Sequence, residues 1–192
     1  MRKVKLQMQI SLDGFVSGPN GEMDWMVWDW DDVLKKYAGE LTNSADIFMV
    51  GRVTGQGMAV YWPTVASNPE SKEEDLWMAD KLNKSTKIVF SKTVGSIDWT
   101  NTSVASDIVD ELNHLKQEPG KDMLLYGGAG IVSSFIKQNL IDEYHLFVNP
   151  VAIGNGKPIF KDLEDKLNLN LVKTTTSSVG IVIQCYRPER KV

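Results

Sequence analysis

The sequence predicts a three-layer α/β/α sandwich on a mixed, mostly parallel sheet, with antiparallel strands added toward the C-terminal end. Three observations predict it. Apolar strands alternate with amphipathic stretches over the first two-thirds of the chain. Two of those strands run through glycines directly into helices, and after Asn139 the remaining strands follow one another with no helix between them. Parallel neighbours need crossover helices, whereas strands joined without them pair antiparallel. The 192 residues show no internal repeat and no low-complexity segment, so one domain over 1–192 is expected, long enough to bury a sizeable core.

Val4, Leu6, Met8, Ile10 and Leu12 alternate with Lys5, Gln7, Gln9, Ser11 and Asp13, the period of a strand. A turn-rich stretch follows from Gly14 to Gly21. From about Asp31 to Thr42 the apolar residues Val33, Leu34, Tyr37 and Leu41 share one helical face. Ile47–Val50 is a wholly apolar strand, and Val53–Val60 a short helix. The polar segment from Pro63 to Ser85 leaves room for an exposed helix over 73–82. Ile88–Phe90 is another buried strand, Ser103-Val104 a weaker one, and Asp107 caps a helix carrying Ile108, Leu112 and Leu115. Met123–Tyr126 is a strand that passes through Gly127-Gly128-Ala129-Gly130 into a helix with Ile131, Val132, Phe135 and Ile136. Tyr144–Val148, Leu169–Lys173 and Val179–Tyr186 complete the strands.

Composition narrows the function classes. Hydrophobic residues make up 42% and charged residues 24%, and the net charge of −4 leaves no basic stripe with which to neutralise nucleic-acid phosphates. Arg187, Arg190 and Lys191 read as a solvated terminal tail. The single cysteine, Cys185, lies in an apolar strand pattern and reads as a sheet residue. His114 and His145 have no partners at ligand spacing, so no metal site is expected. No run reaches transmembrane length and no leader pattern precedes the first strand, so the cytoplasm is the expected compartment and no membrane partner is expected.

The glycine junctions carry the chemistry. A helix N-terminus holds unpaired N–H groups and partial positive charge, and glycine lets a ligand approach the backbone. Gly127-Gly128-Ala129-Gly130 is therefore either an anion site or a tight strand–helix corner, and Gly51-Arg52-Val53-Thr54 offers the same choice. Arg52 adds a planar fork of donors suited to phosphate, and Thr54 a hydroxyl in the first turn. Ser91-Lys92, at the end of a buried strand, could grip a second phosphate or be an ordinary strand end. Asp13-Gly14 also follows a strand, so all four segments could rim one cleft at the carboxyl ends of the strands.

The ordered set Ser11-Leu12-Asp13-Gly14-Phe15, Trp25, Gly51-Arg52-x-Thr54, Ser91 and Gly127-Gly128-x-Gly130 resembles the dihydrofolate reductase superfamily. Within it the chain is most similar to the reductase domain at the C-terminus of the bifunctional riboflavin-biosynthesis protein (the RibD-like branch), a likeness strengthened by Asp142-Glu143-Tyr144, Pro150 and Gly154-x-Gly156-x-Pro158-Ile159-Phe160. The resemblance implies an NADPH-dependent oxidoreductase and a homodimer. It implies that Arg52 and Thr54 meet the 2′-phosphate and pyrophosphate, that Ser91 and Lys92 hold the adenosine side, and that Gly127, Gly128, Ala129 and Gly130 approach the pyrophosphate and nicotinamide, with Gly51 opening the first turn.

On the substrate side, Asp13 is the expected catalytic or substrate-contacting carboxylate, with turn formation as its alternative. Trp25 falls, by the resemblance, in the loop after the first strand and is expected to face the substrate. Gln7 and Gln9 place amides on the face where a folate reductase is apolar, so Gln9 is expected to meet a substrate with hydrogen-bonding groups, unless it bonds neighbouring side chains. Asp29, Asp31 and Asp32 cluster where a dihydrofolate reductase holds its pterin, yet read as helix-capping carboxylates. The expected substrate is a small heterocyclic or sugar-derived imine or carbonyl. Reduction of a ribosylamino-pyrimidine in riboflavin biosynthesis is the candidate the resemblance supplies, although the zinc deaminase half of the bifunctional enzyme has no counterpart in these residues. Two alternatives stand beside it: a true dihydrofolate reductase, and a non-catalytic NADPH-binding protein.

Overall fold

The computed structural model describes residues 1–161 and 163–189. Its strands and helices follow the expected order: β1 (Val4–Ile10), α1 (Asp32–Asn43), β2 (Ala45–Gly51), α2 (Arg52–Ser67), α3 (Glu73–Lys84), β3 (Thr86–Phe90), β4 (Thr102–Ala105), α4 (Ile108–Gln117), β5 (Asp122–Gly127), α5 (Ala129–Lys137), β6 (Glu143–Val148), β7 (Leu169–Thr176) and β8 (Val182–Pro188). They form one eight-stranded sheet in the order β4-β3-β2-β5-β1-β6-β8-β7. The pairings from β4 through β6 are parallel, whereas β6–β8 and β8–β7 are antiparallel. The α/β/α sandwich with its antiparallel C-terminal strands is thus the observed fold.

Alternation in β1 sends Val4, Leu6, Met8 and Ile10 into one core with Leu112 and Leu115 of α4 and Val132, Phe135 and Ile136 of α5. The opposite face carries Phe48 and Leu124 against Leu41 of α1 and Leu82 of α3, and Phe147 and Ile183 against Leu34 and Ala38 of α1. The chain therefore leaves β1 and β5 on opposite faces of the sheet. Such a reversal between neighbouring parallel strands opens a crevice at their carboxyl ends. Asp107 caps α4 as expected, accepting from the N–H groups of Val109 and Asp110 at 2.9 and 3.0 Å.

Four expectations need correction. The helix expected over Val53–Val60 runs from Arg52 to Ser67, straight through Pro63. Proline removes one backbone bond, but burial of Val65 and packing of Trp62 against the α1–α3 core outweigh that loss. The segment expected as an exposed helix buries Ala79 and Leu82 on its inner face. The first strand ends at Ile10, so Ser11 and Asp13 belong to the turn beyond it, and the face bearing Gln7 and Gln9 is half-buried. Of the expected basic tail, Arg187 lies in β8 and pairs with Glu143 at 2.8 Å, while Arg190 and Lys191 lie outside the described residues.

Lys87 is an unanticipated core residue, 1% exposed in β3. Its Nζ donates to the carbonyls of Leu82 and Ser85 at 2.7 and 2.9 Å and sits 4.5 Å above the Trp99 ring. The last carbonyls of a helix have no partners within it, and a cation there is favoured. Lys87→Met is expected to lower stability by about 1–3 kcal/mol, because those carbonyls stay buried without a donor. The urea midpoint measures it, and an unchanged midpoint would show that the ammonium contributes nothing net.

Candidate active site

The six parallel strands end along one edge, and the predicted segments collect there. Gly51 is the N-cap of α2 and Gly128 that of α5, and neither helix has a side-chain cap. The two turns touch. A Cβ built on Gly128 would stand 3.1 Å from Thr54 Oγ1, and one on Gly51 would stand 3.1 Å from Ile131 Cγ2. Gly127 has φ +109, and its Cβ would fall 2.7 Å from Met8 Cε in β1. The Gly127–Gly128 peptide is cis. Two helix N-termini with unsatisfied N–H groups thus form one wall, with β1 as its floor. The positive φ favours glycine at Gly127, while a Cβ at Gly51 or Gly128 would need Ile131 or Thr54 to give by a few tenths of an ångström.

Arg52 opens α2 exposed to solvent, its Nη1 donating to Gln56 Oε1 at 3.2 Å, and Thr54 and Ala129 are half-buried beside the wall. Gly130 differs from its neighbours. It is exposed, and a Cβ there would meet nothing within 4 Å, so protein packing does not require a glycine. Ser91 directly follows β3, two strands from β5, and its Oγ accepts from the N–H groups of Thr93 and Val94 at 3.1 and 3.2 Å. That hydroxyl closes its own turn, and Lys92 beside it is exposed.

On the other side of β1, Asp13 is fully engaged. Its oxygens accept from Ser11 Oγ at 2.6 Å, Gly154 N–H at 2.7 Å and Ile153 N–H at 3.1 Å. The Ser11 bond first, then these backbone bonds, hold its carboxyl below the usual carboxylate range, so it stays ionised and is an acceptor rather than a proton donor. Asp13 fastens the turn after β1 to the loop after β6. Val16 and Lys157 reinforce that junction, with the Val16 N–H donating to the Lys157 carbonyl at 3.0 Å. Trp25 is half-buried in the loop between β1 and α1, and its indole N–H donates to the Glu22 carbonyl at 3.2 Å. Asp31 caps α1, accepting from Leu34 N–H at 3.0 Å, and also binds the N–H and hydroxyl of Ser178 at 2.7 and 2.8 Å.

Sequence reasoning missed Asn149, which is wholly buried just beyond β6. Its Oδ1 accepts from Val27 N–H at 2.9 Å, and its Nδ2 donates to Gln9 Oε1 at 3.1 Å. One asparagine therefore holds both the β1–α1 loop and the predicted substrate-facing amide. The available signal was an asparagine before Pro150 at the end of an apolar strand. Nearby, Trp30 stacks on Phe147 with centroids 5.4 Å apart. Deeper on the same face, Tyr37 Oη bonds His145 Nδ1 at 2.8 Å, and burial pushes the imidazole down to about 4. The Tyr126 hydroxyl bonds Thr42 Oγ1 at 2.9 Å, and burial pushes it up to about 12.

Among the described residues no cluster of three His, Cys, Asp or Glu could hold a metal, and no helix is long and apolar enough to cross a membrane. What the carboxyl edge offers is a wall carrying two uncapped helix N-termini, an exposed guanidinium beside it, and the polar half-buried amide of Gln9 on β1.

The eight-stranded mixed sheet, with β1 and β5 leaving on opposite faces, is an α/β fold of the dihydrofolate reductase-like type. The chain belongs to the RibD C-terminal domain family, whose model matches residues 2–183. It is 37% identical over 185 residues to the uncharacterized protein YyaP of Bacillus subtilis (strain 168), covering 96% of this chain and 94% of that one. Its fold is that of a putative riboflavin biosynthesis protein from Shewanella sp. PV-4, with TM-score 0.71, 22% identity, and coverage of 99% of this chain and 100% of that chain. It also matches a diaminohydroxyphosphoribosylaminopyrimidine deaminase/5-amino-6-(5-phosphoribosylamino)uracil reductase from Thermotoga maritima, with TM-score 0.65 and 18% identity. That match covers 97% of this chain and 56% of the longer protein.

Proposed function

We propose that the chain is a single-domain, NADPH-dependent reductase of a small heterocyclic or sugar-derived imine or carbonyl. The observation that carries this reading is the shared wall of two uncapped helix N-termini, with Thr54 Oγ1 3.1 Å from where a Gly128 Cβ would lie. This cradle suits a pyrophosphate: the two first turns lie side by side, neither helix has a side-chain cap, and glycines stand at both N-caps. Arg52, exposed at the same edge, suits a further phosphate monoester with its planar fork of donors. Ser91 and Lys92 lie on the adenosine side, and Gly127, Gly128, Ala129 and Gly130 on the nicotinamide side.

When bound, the nicotinamide supplies the hydride. The residues of the chain bind and orient. Gln9 and Trp25 face the substrate, and Asp13 acts through the loop after β6 that it fastens. The polar amide of Gln9 speaks for a hydrogen-bonding substrate over the apolar contact a pterin ring would want. A ribosylamino-pyrimidine, as named for the Thermotoga protein, is the first substrate to assay. A homodimer in the cytoplasm completes the reading.

The test is a titration of NADPH and of NADH followed by tryptophan fluorescence, for the native chain and for Arg52→Ala. NADPH is expected to bind about tenfold or more tightly than NADH, and Arg52→Ala to remove most of that difference. Absence of binding by either nucleotide would overturn the reading.

A further inference from the structure

Gln9 and Asn149 meet where β1 and β6 end side by side, and the orientations of both amides follow from the backbone around them. Asn149 Nδ2 lies 3.2 Å from the Phe147 carbonyl and 3.4 Å from the Ile10 carbonyl, while Oδ1 faces the Val27 N–H at 2.9 Å. Carbonyls only accept and an N–H only donates, so the Asn149 amide has one possible orientation. Its Nδ2 then also faces Gln9 Oε1 at 3.1 Å, which orients the second amide in turn. Reversing Gln9 would set two NH2 groups against each other beside a residue that is 0% exposed, where water cannot relieve the clash.

Gln9 therefore turns its oxygen inward and its Nε2 outward. Among the described residues that Nε2 has no hydrogen-bond partner. The residue is half-buried at the carboxyl end of β1, on the side of the crevice opposite the α5 turn.

We infer that Asn149 is a positioning residue that makes Gln9 an obligate donor, so that the substrate meets Gln9 with a carbonyl oxygen and not with an amino group. The inference rests on the proposed reductase cleft for its statement that Gln9 faces the substrate. It adds the polarity of the contact. A flat heterocycle bearing a ring carbonyl satisfies Nε2, whereas the same ring with an exocyclic amine at that place sets donor against donor. The discrimination is strong in kind because the unpaired group stays half-buried.

Two probes test this without any nucleotide: 1,3-dimethyluracil, whose carbonyls accept and which has no N–H, and aniline, a flat ring with an amino donor. Each is titrated at millimolar concentration into the native chain and the variants, with binding followed by the backbone amide resonances around the end of β1 and, where Gln9 is present, by its side-chain amide resonances. The native chain is expected to prefer dimethyluracil and to show a shift of the Gln9 Nε2 protons. Gln9→Glu keeps the bond from Asn149 but presents an acceptor. Dimethyluracil binding is expected to weaken about fivefold to tenfold, the worth of one hydrogen bond, while aniline binding holds or strengthens.

Asn149→Ala frees the Gln9 amide to turn and is expected to bring the two probes to near-equal affinity. A purely structural loss would weaken both alike and leave their ratio unchanged. Should Asn149→Ala fail to fold, Gln9→Glu decides alone. A native chain that binds neither probe, that prefers aniline, or whose preference survives Gln9→Glu overturns the inference. A chain that binds no nucleotide yet keeps the dimethyluracil preference overturns the reductase reading instead and leaves the donor assignment intact.

Discussion

Gly130→Ala is expected to stabilise the fold and weaken NADPH binding at the same time. Gly130 lies in the first turn of α5, exposed, with open space for 4 Å around an added Cβ. Alanine in a helix is favoured over glycine by about 0.5–1 kcal/mol, so the urea midpoint should rise. Packing leaves that space open, as it also does at the helical Gly39 and Gly57, so only an occupant from outside the chain would meet the added methyl group. In the proposed cleft that occupant is the dinucleotide backbone, and a methyl group in its path should weaken binding about tenfold, equivalent to about 1.4 kcal/mol. Gly127→Ala serves as the contrast. There the φ of +109 and the approach of Met8 should lower stability by about 1–2 kcal/mol. If Gly130→Ala leaves NADPH affinity unchanged, the nucleotide does not pass along the α5 turn.

The second large effect concerns acid. His145 is 7% exposed, and burial, opposed by the Glu143 carboxylate 3.5 Å from Nε2, pushes its imidazole from an ordinary 6.5 down to about 4. Tyr37, Cys185, Lys5 and Arg187 are the other titratable or charged groups around it. A depressed histidine is neutral in the fold and protonated in the unfolded chain between those two values. The unfolded state then binds the extra proton, so stability is full above about pH 6.5 and falls as the pH drops toward about 4. The loss approaches roughly 2–3 kcal/mol over that window. His145→Gln should flatten the profile there, and urea unfolding between pH 7 and pH 4 measures the slope. A native-like slope in the variant would assign the acid sensitivity to the carboxylates, of which Asp13, Asp31 and Glu143 are held below their ordinary range and act lower.

The alternation of strand and helix was legible because it depends only on local periodicity. The same locality made the Asp107 cap readable and brought Gly51, Arg52, Thr54 and Gly127–Gly130 to one edge, since each of the two segments directly follows an apolar strand. The length of α2 was not readable. Pro63 is a local stop signal, and what overrides it is the burial of Val65 and the seating of Trp62 in a core assembled from distant strands. Lys87 and Asn149 were hidden for a related reason. A lysine between Thr86 and Ile88 looks like an exposed strand position until Trp99 and the end of α3 close over it. Asn149 acquires meaning only from Gln9, which lies 140 residues earlier.

The place of β1 in the sheet has a consequence for how the chain is made. Its neighbours are β5 and β6, with Val4 opposite Met123 and Gln9 opposite Phe147. Once made, β1 thus stays without either partner until β5 and β6 have followed, an interval of roughly 6–25 s at ordinary elongation rates. Throughout it, Val4, Leu6, Met8 and Ile10 form an apolar edge open to other nascent chains. Lys3 and Lys5, interleaved with them, supply the like-charge repulsion that keeps such edges apart until Asp122 and Glu143 arrive to neutralise them at 2.8 and 2.9 Å.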